Sequence, residues 1–271
     1  MDIIKKLAEE LHIAPSQAEA AVKLIDEGNT IPFIARYRKE ATGSLNDEVL
    51  RSLDERLKYL RSLEERKEQV IASIAEQKKL TPELERQIRE AQTLVAVEDL
   101  YRPYKPKRRT RAMIAKEKGL EPLADLISLQ MTREPLEQSA ASYISEESGV
   151  GSAEEAIAGA MDILAERISD NAQYRTYIRN ITVSQGLLTS QARDEKEKSV
   201  YEMYYQYQEP VKKAAGHRIL ALNRGEKEKF LSVKVEAPEE QILRYLEKQT
   251  ILRDNPYTAP VLREIVKDSY E

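Results

Sequence analysis

The chain has 271 residues, of which 41% are hydrophobic and 33% charged, with a formal net charge of −4; it can bury the core of one large or two ordinary domains, and it is too acidic to coat nucleic acid with its whole surface. It has no cysteine and only 9 glycines and 11 prolines, which excludes disulfides, thiolate metal sites and a cysteine nucleophile, and favours helices over a turn-rich β fold. No apolar run approaches the roughly 20 residues of a bilayer span, and the amphipathic, acidic N-terminus is not a secretory signal, so a cytoplasmic protein without membrane contact is expected.

In chain order, Ile3, Ile4, Leu7 and Leu11 have helical spacing. Pro15 interrupts, and Ser16 with Glu19 reads as a capping box that restarts a helix carrying Ala18, Ala21, Val22 and Ile25 and stopping at Gly28. The pair has the size of a DNA-reading helix-turn-helix and equally of a plain helical hairpin; the second helix offers few basic or amide side chains to base edges, which favours the plain hairpin. A short element, 31–40, follows. Ser44 and Asp47 are expected to cap a long helix to about Gln77, with Leu50, Leu53, Leu57 and Leu60 on one seam. The stripe then drifts to Leu63, Val70 and Ile74, with Lys67 where an apolar residue is due. Thr81 and Pro82 start another helix, with Leu84, Ile88, Ala91 and Val95 expected inward.

Short helices are predicted at 121–129 and 135–144. Ser152 and Glu155 open one with Ile157, Met161, Leu164 and Ile168 inward, and Tyr174, Tyr177, Ile178 and Ile181 mark the next, ending near Gly186. The segment 230–236 alternates, with Leu231, Val233 and Val235 on one side, and is the one convincing strand, with no evident partner. Residues 259–271 read as a helix interrupted in mid-pattern, as in a fragment. The expected fold is mainly α: a multi-helical scaffold with an N-terminal helix-turn-helix-like hairpin, one long helix, and at most a small β element near 230–236.

Catalytic signatures are lacking. His12 and His217 are the two histidines, no P-loop or nucleotide-binding glycine pattern occurs, and the turn Gly149-Val150-Gly151 lacks a preceding strand. No enzyme and no cofactor is expected within these residues.

The strongest local signal is basic. Between Arg102 and Lys118 eight cations face one acid, Glu117. Pro103 and Pro106 bias Tyr101–Arg111 toward polyproline geometry, which would set Tyr101, Tyr104 and Lys107 on one side. Rings and cations so arranged suit stacking on bases and neutralising phosphates, so Tyr101, Arg102, Tyr104, Lys105, Lys107, Arg108, Arg109 and Arg111 are candidate contacts. The competing reading is structural: the rings anchor the loop and the arginines pair with neighbouring acids. Arg36, Arg38 and Lys39 around Tyr37 repeat the mixture more modestly, or else serve a helix end by meeting its carbonyls.

The runs TIPFIARYRKEATG from Thr30 to Gly43, VEDLYRPYKPKRRTRA from Val97 to Ala112, GLEPL from Gly119 to Leu123 and HRILALNRGE from His217 to Glu226 resemble bacterial Tex proteins. These are transcription accessory factors that bind nucleic acid. In that family helical N-terminal and central regions precede a YqgF-type RNase H-like domain, helix-hairpin-helix segments and a C-terminal S1 domain, the main nucleic-acid reader. The resemblance implies the N-terminal part of such a protein, with 1–188 as the N-terminal helical region and 189–271 as the start of the central one. It implies RNA or DNA as ligand of the whole protein, with the basic loops as auxiliary contacts. The alternative is a protein–protein platform, docking RNA polymerase or later domains, without direct nucleic acid contact.

Overall fold

A computed structural model describes residues 2–271. The chain divides into two compact units, 1–104 and 105–271.

In the first unit, Asp2 caps α1 (Ile3–Leu11) by accepting from the Lys5 N–H, and His12 ends it in the left-handed region at φ 54°. The next helix, α2 (Pro15–Asp26), begins at the proline rather than after it. Proline lacks the N–H that a first helical residue leaves unused, and its φ is already helical; the N–H of Ala14 finds Gln17 Oε1 at 3.0 Å. The expected capping by Ser16 and Glu19 is therefore replaced. Gly28 follows at φ +85°. The element expected at 31–40 is two short helices, α3 (Ile31–Tyr37) and α4 (Lys39–Thr42), broken at Arg38.

The long helix α5 (Asp47–Glu76) is capped by Asn46, whose side chain accepts from Val49 N–H at 2.9 Å. Ser44, expected at the cap, lies in the left-handed region at φ 65°. The drifting stripe is buried along its whole length, Lys67 included at 1% exposure. Its ammonium donates to Glu64 Oε1 at 2.7 Å and to the Arg89 carbonyl at 2.8 Å, the paired state a buried cation requires. That carbonyl lies near the end of α6 (Pro82–Glu90), which Thr81 caps. The helix breaks at Ala91, and α7 (Leu94–Tyr101) restarts with Thr93 as cap. Val95 thus falls in a new first turn and is 48% exposed, not inward as its spacing suggested. The core gathers Leu7, Ala18, Ala21 and Ile34 around the leucines of α5, closed by Ile88, Val97 and Tyr101.

In the second unit α8 (Arg111–Glu117), α9 (Glu121–Leu129) and α10 (Leu136–Ala141) lead to α11 (Ala153–Ser169). Ser152 accepts from Glu155 N–H, and Glu155 in turn accepts from Gly151 N–H. The inner face of α11 carries Ala156, Ala160, Ile163 and Leu164, with Ile157, Met161 and Ile168 only partly buried. Small residues at that face let α8 and α9 approach closely. Gly149, at φ +70°, turns the chain between the bridged residues Ser145 and Val150.

After α12 (Ala172–Gln185) come β1 (Leu187–Ala192), β2 (Gln206–Pro210), α13 (Gly216–Lys227), β3 (Leu231–Glu236), α14 (Glu239–Thr250) and α15 (Ala259–Tyr270). The strand expected at 230–236 is β3, and it has company: an antiparallel sheet of order β2-β1-β3, with Ser190 opposite both Tyr207 and Val233. One face, with Leu188 and Leu231, packs on Leu222 of α13. Gly225 makes that possible, since a Cβ there would meet Leu231 Cδ1 at 2.6 Å. The alternation of β3 decays along its length, from buried Leu231 to Val235 at 54% exposure.

Candidate nucleic-acid interface

The basic segment does not adopt polyproline geometry at its start. Tyr101 is the last residue of α7, and Arg102–Tyr104 form a 3-10 turn. Proline's fixed φ is compatible with such a turn, and its missing N–H goes unneeded there. The consequence for the rings is direct. Tyr101 is buried, its hydroxyl 3.0 Å from Ser73 Oγ, with the Arg66 guanidinium 5.4 Å above its ring centroid. Tyr104 packs partly buried against the same core, and its carbonyl accepts from Gln77 Nε2 at 2.9 Å. Both rings thus serve the first unit's packing.

On the other side of the unit boundary, the cations find carboxylates. Lys107 donates to Asp170 and lies 3.4 Å from Glu166. Arg109 pairs with Glu117 at 2.6 Å, and Arg111 reaches Asp268 at 3.0 Å and Asp162 at 3.4 Å. Asp162 and Glu166 on α11 and Asp170 at its C-cap follow one another at four-residue spacing, so one side of the helix and its end offers three acids to the segment. Burial pushes the Asp162 carboxyl up; Arg111 opposes this and Asp268 adds to it. The end of the basic run is helical: Thr110 caps α8 by accepting from Met113 N–H. Arg102, Lys105 and Arg108 are exposed, and Arg108 has no carboxylate partner among the described residues.

The smaller basic group has the opposite character. The joint between α3 and α4 is fixed by Gln17 Nε2, which donates to the carbonyls of Thr42 at 3.2 Å and Gly43 at 3.1 Å, and by Thr42 Oγ1 donating to the Arg38 carbonyl. From it project Arg36, Arg38 and Lys39, all exposed and without carboxylate partners among the described residues. Nor do these three side chains meet helix-end carbonyls among the described residues. Tyr37 is 61% exposed, its ring 5.2 Å from that of Phe33, over which Arg38 also sits at 5.4 Å. Tyr37 was not singled out in sequence as a contact. Only its place at the end of a short helix shows that it faces outward. His12 and His217 are exposed.

Helices, a minor sheet and two basic segments, one on each unit, make up a mainly helical scaffold. Its relatives give it a family. The model described as Tex-like protein N-terminal domain matches residues 1–75, and that described as Tex central region-like matches 130–256. Protein tex of Bordetella pertussis is 48% identical over 86% of this chain and 30% of its own length. Protein YdcI of Bacillus subtilis is 48% identical over 98% and 38% respectively, and the human S1 RNA-binding domain-containing protein 1 is 30% identical over 86% and 24%. The chain belongs to the Tex family, and it spans 30% to 38% of the length of these bacterial relatives. No helix among the described residues is long and apolar enough to cross a membrane.

Proposed function

We propose that the chain is the helical scaffold of a cytoplasmic, nucleic-acid-associated transcription accessory protein, and that it adds auxiliary phosphate contacts to those made elsewhere in the full-length protein. The human relative named as an S1 RNA-binding domain-containing protein supports the association. The observation that carries the contact is the joint at Arg36–Lys39, where three cations without carboxylate partners among the described residues flank an exposed ring. Such a surface neutralises phosphate and stacks a base without first breaking an internal ion pair. Arg108 offers a second cation of this kind, with Arg102 and Lys105 exposed beside it in sequence.

The test is binding of a single-stranded RNA and a DNA oligonucleotide to the 271-residue chain across a salt series. Phosphate contacts by Arg36, Arg38 and Lys39 give a slope of log K on log salt of about −2 for a single strand. Replacing Arg36, Arg38 and Lys39 by Ala reduces its magnitude by about 2. Absence of binding at low salt, or a slope untouched by these substitutions, overturns the contact. A protein-docking role, with RNA polymerase or another transcription protein as partner, is favoured instead by the internal pairing of Lys107, Arg109 and Arg111. Co-purification of the polymerase with a chain that binds no oligonucleotide would establish that reading.

A further inference from the structure

One surface of the second unit is apolar without being covered. Val211, Ala214, Ile219, Leu222, Val233 and Val235 line a cleft of about 290 Å³ between α13 and the inner face of the sheet. Its rim continues onto the outside of α13. Leu222 and Gly225 of that helix are buried, but Ile219 is 39% exposed and Leu220 70%. Ile219, Leu220 and Asn223 stand at helical spacing on one stripe, and Val235 of the edge strand β3 is 54% exposed. Helix α13 therefore has two apolar faces, one packed on the sheet and one presented to solvent, and contiguous exposed apolar surface marks an interaction site.

The charge around one end of the cleft identifies what would fit. Lys212 and Lys213 lie between the lining residues Val211 and Ala214, both exposed and without carboxylate partners among the described residues. The exposed imidazole of His217 follows in the first turn of α13, whose N-terminus has no side-chain cap and adds its own positive pole. The acids beside the cleft are engaged within the unit: Glu209 is held by Arg218 at 2.7 and 3.0 Å, Glu226 accepts from the Val233 N–H at 3.2 Å, and Glu236 accepts from Thr189 Oγ1 on the opposite face of the sheet. An apolar cleft with a positive end, on a chain of net charge −4, complements a segment that is apolar along one side and acidic at one end.

We propose that the cleft between α13 and β3 docks a short, acidic, amphipathic segment of a partner protein, its apolar side chains entering against Ile219, Leu222 and Val233 and covering Leu220 on the rim, and its carboxylates meeting Lys212 and Lys213. The site lies apart in sequence from the basic segments and takes a different class of ligand.

The experiment uses the 271-residue chain and a fluorescein-labelled peptide carrying two leucines and one phenylalanine at helical spacing, followed by a run of Asp and Glu, read by anisotropy. Two control peptides exchange the acids for Lys, or the apolar residues for Ser. Only the acidic amphipathic peptide binds. Leu220→Glu abolishes binding, and Lys212→Glu with Lys213→Glu weakens it about tenfold and removes most of its salt dependence. Leu220 and both lysines are solvent-exposed, so unchanged circular dichroism confirms that these variants fold. Failure of the peptide to bind, equal binding of the Lys-bearing control, or indifference to Leu220→Glu overturns the proposal. So does a concentration-dependent dimer abolished by Leu220→Glu, which makes the surface a contact between copies of this chain. RNA binding lost on changing Lys212 and Lys213, without peptide binding, makes it a phosphate surface and equally overturns it.

Discussion

The hydroxyl of Tyr101 lies 3.0 Å from Ser73 Oγ, bonding the last residue of α7 to the long helix α5. The ring that the sequence offered for base stacking thereby belongs to the first unit's core. Tyr101→Phe removes this hydrogen bond and costs about 1 kcal/mol. Tyr101→Ala, which also empties the site of a buried aromatic, costs about 3–5 kcal/mol. Urea unfolding followed by circular dichroism measures both. If Tyr101→Phe left the midpoint in place yet weakened RNA binding, the ring would be a ligand-facing group after all.

Lys107 and Arg108 are neighbours with opposite expected roles. Lys107 faces Asp170, whose side chain is 9% exposed, and Glu166, so Lys107→Ala strips an ammonium from a nearly buried carboxylate and costs about 1–3 kcal/mol. Arg108→Ala leaves stability within about 0.5 kcal/mol and lowers the salt slope of single-strand binding by about 0.7. The pair of measurements separates the residues; a larger binding loss from Lys107→Ala than from Arg108→Ala, at matched folded fraction, would reverse the assignment.

Gln130, 4% exposed, clasps the link between α14 and α15. Its Oε1 accepts from the N–H groups of Leu252 at 2.9 Å and Arg253 at 3.1 Å, while its Nε2 donates to the Thr250 carbonyl at 2.8 Å. Gln130→Ala leaves these groups to find water and costs about 2–3 kcal/mol. Hydrogen exchange at the amides of Leu252 and Arg253 should accelerate well beyond that of the α11 interior. Uniform acceleration across the unit would mean that the side chain stabilises the whole and not the link.

Arg56 binds Glu10 through Nε at 2.5 Å and Nη2 at 2.9 Å, joining α1 to α5. That hydrogen bond, opposed by burial and assisted by the charges of Arg56 and Lys6, holds the Glu10 carboxyl below its ordinary value. A depressed folded-state pKa adds stability that is complete above the unfolded value of about 4.3 and lost as pH falls through the folded one. Glu10→Gln therefore lowers the unfolding free energy from urea titration near neutral pH, by under about 1 kcal/mol for a partly solvated pair, and has no effect once the carboxyl is protonated. An equal deficit at both ends of the titration would show that the charge is not what the pair contributes.

Much of the fold could be read from residue order because helices announce themselves locally. The stripe from Leu50 to Ile74, the cap at Thr81 and the stop at Gly186 depend on neighbours within a few positions, and all appear as expected. The sheet did not, because its pairing is remote. Leu187–Ala192 carries Thr189, Ser190 and Gln191 in its middle and becomes a strand only when Leu231–Glu236 lies beside it. The pairing of the basic segment is remote in the same way: composition displays its cations, while the acids that meet Lys107, Arg109 and Arg111 come from α8, from α11 and its end, and from α15, as distant as Asp268. Conversely, the openness of Arg36–Lys39 follows from a helix break at Arg38 that no residue there demands by itself.

The core of the second unit joins Ala112 and Ala115 of α8 to Leu262 and Ile265 of α15. Its packing therefore cannot be completed on the ribosome until residue 265 has been made and has left the exit tunnel, whereas the core of the first unit is complete once Tyr101 has emerged. With domains folding as they appear, the first unit is native while α8 still waits for α15. In that interval the side of α11 that meets α15 is open, and a chaperone would find its target there rather than among the leucines of α5.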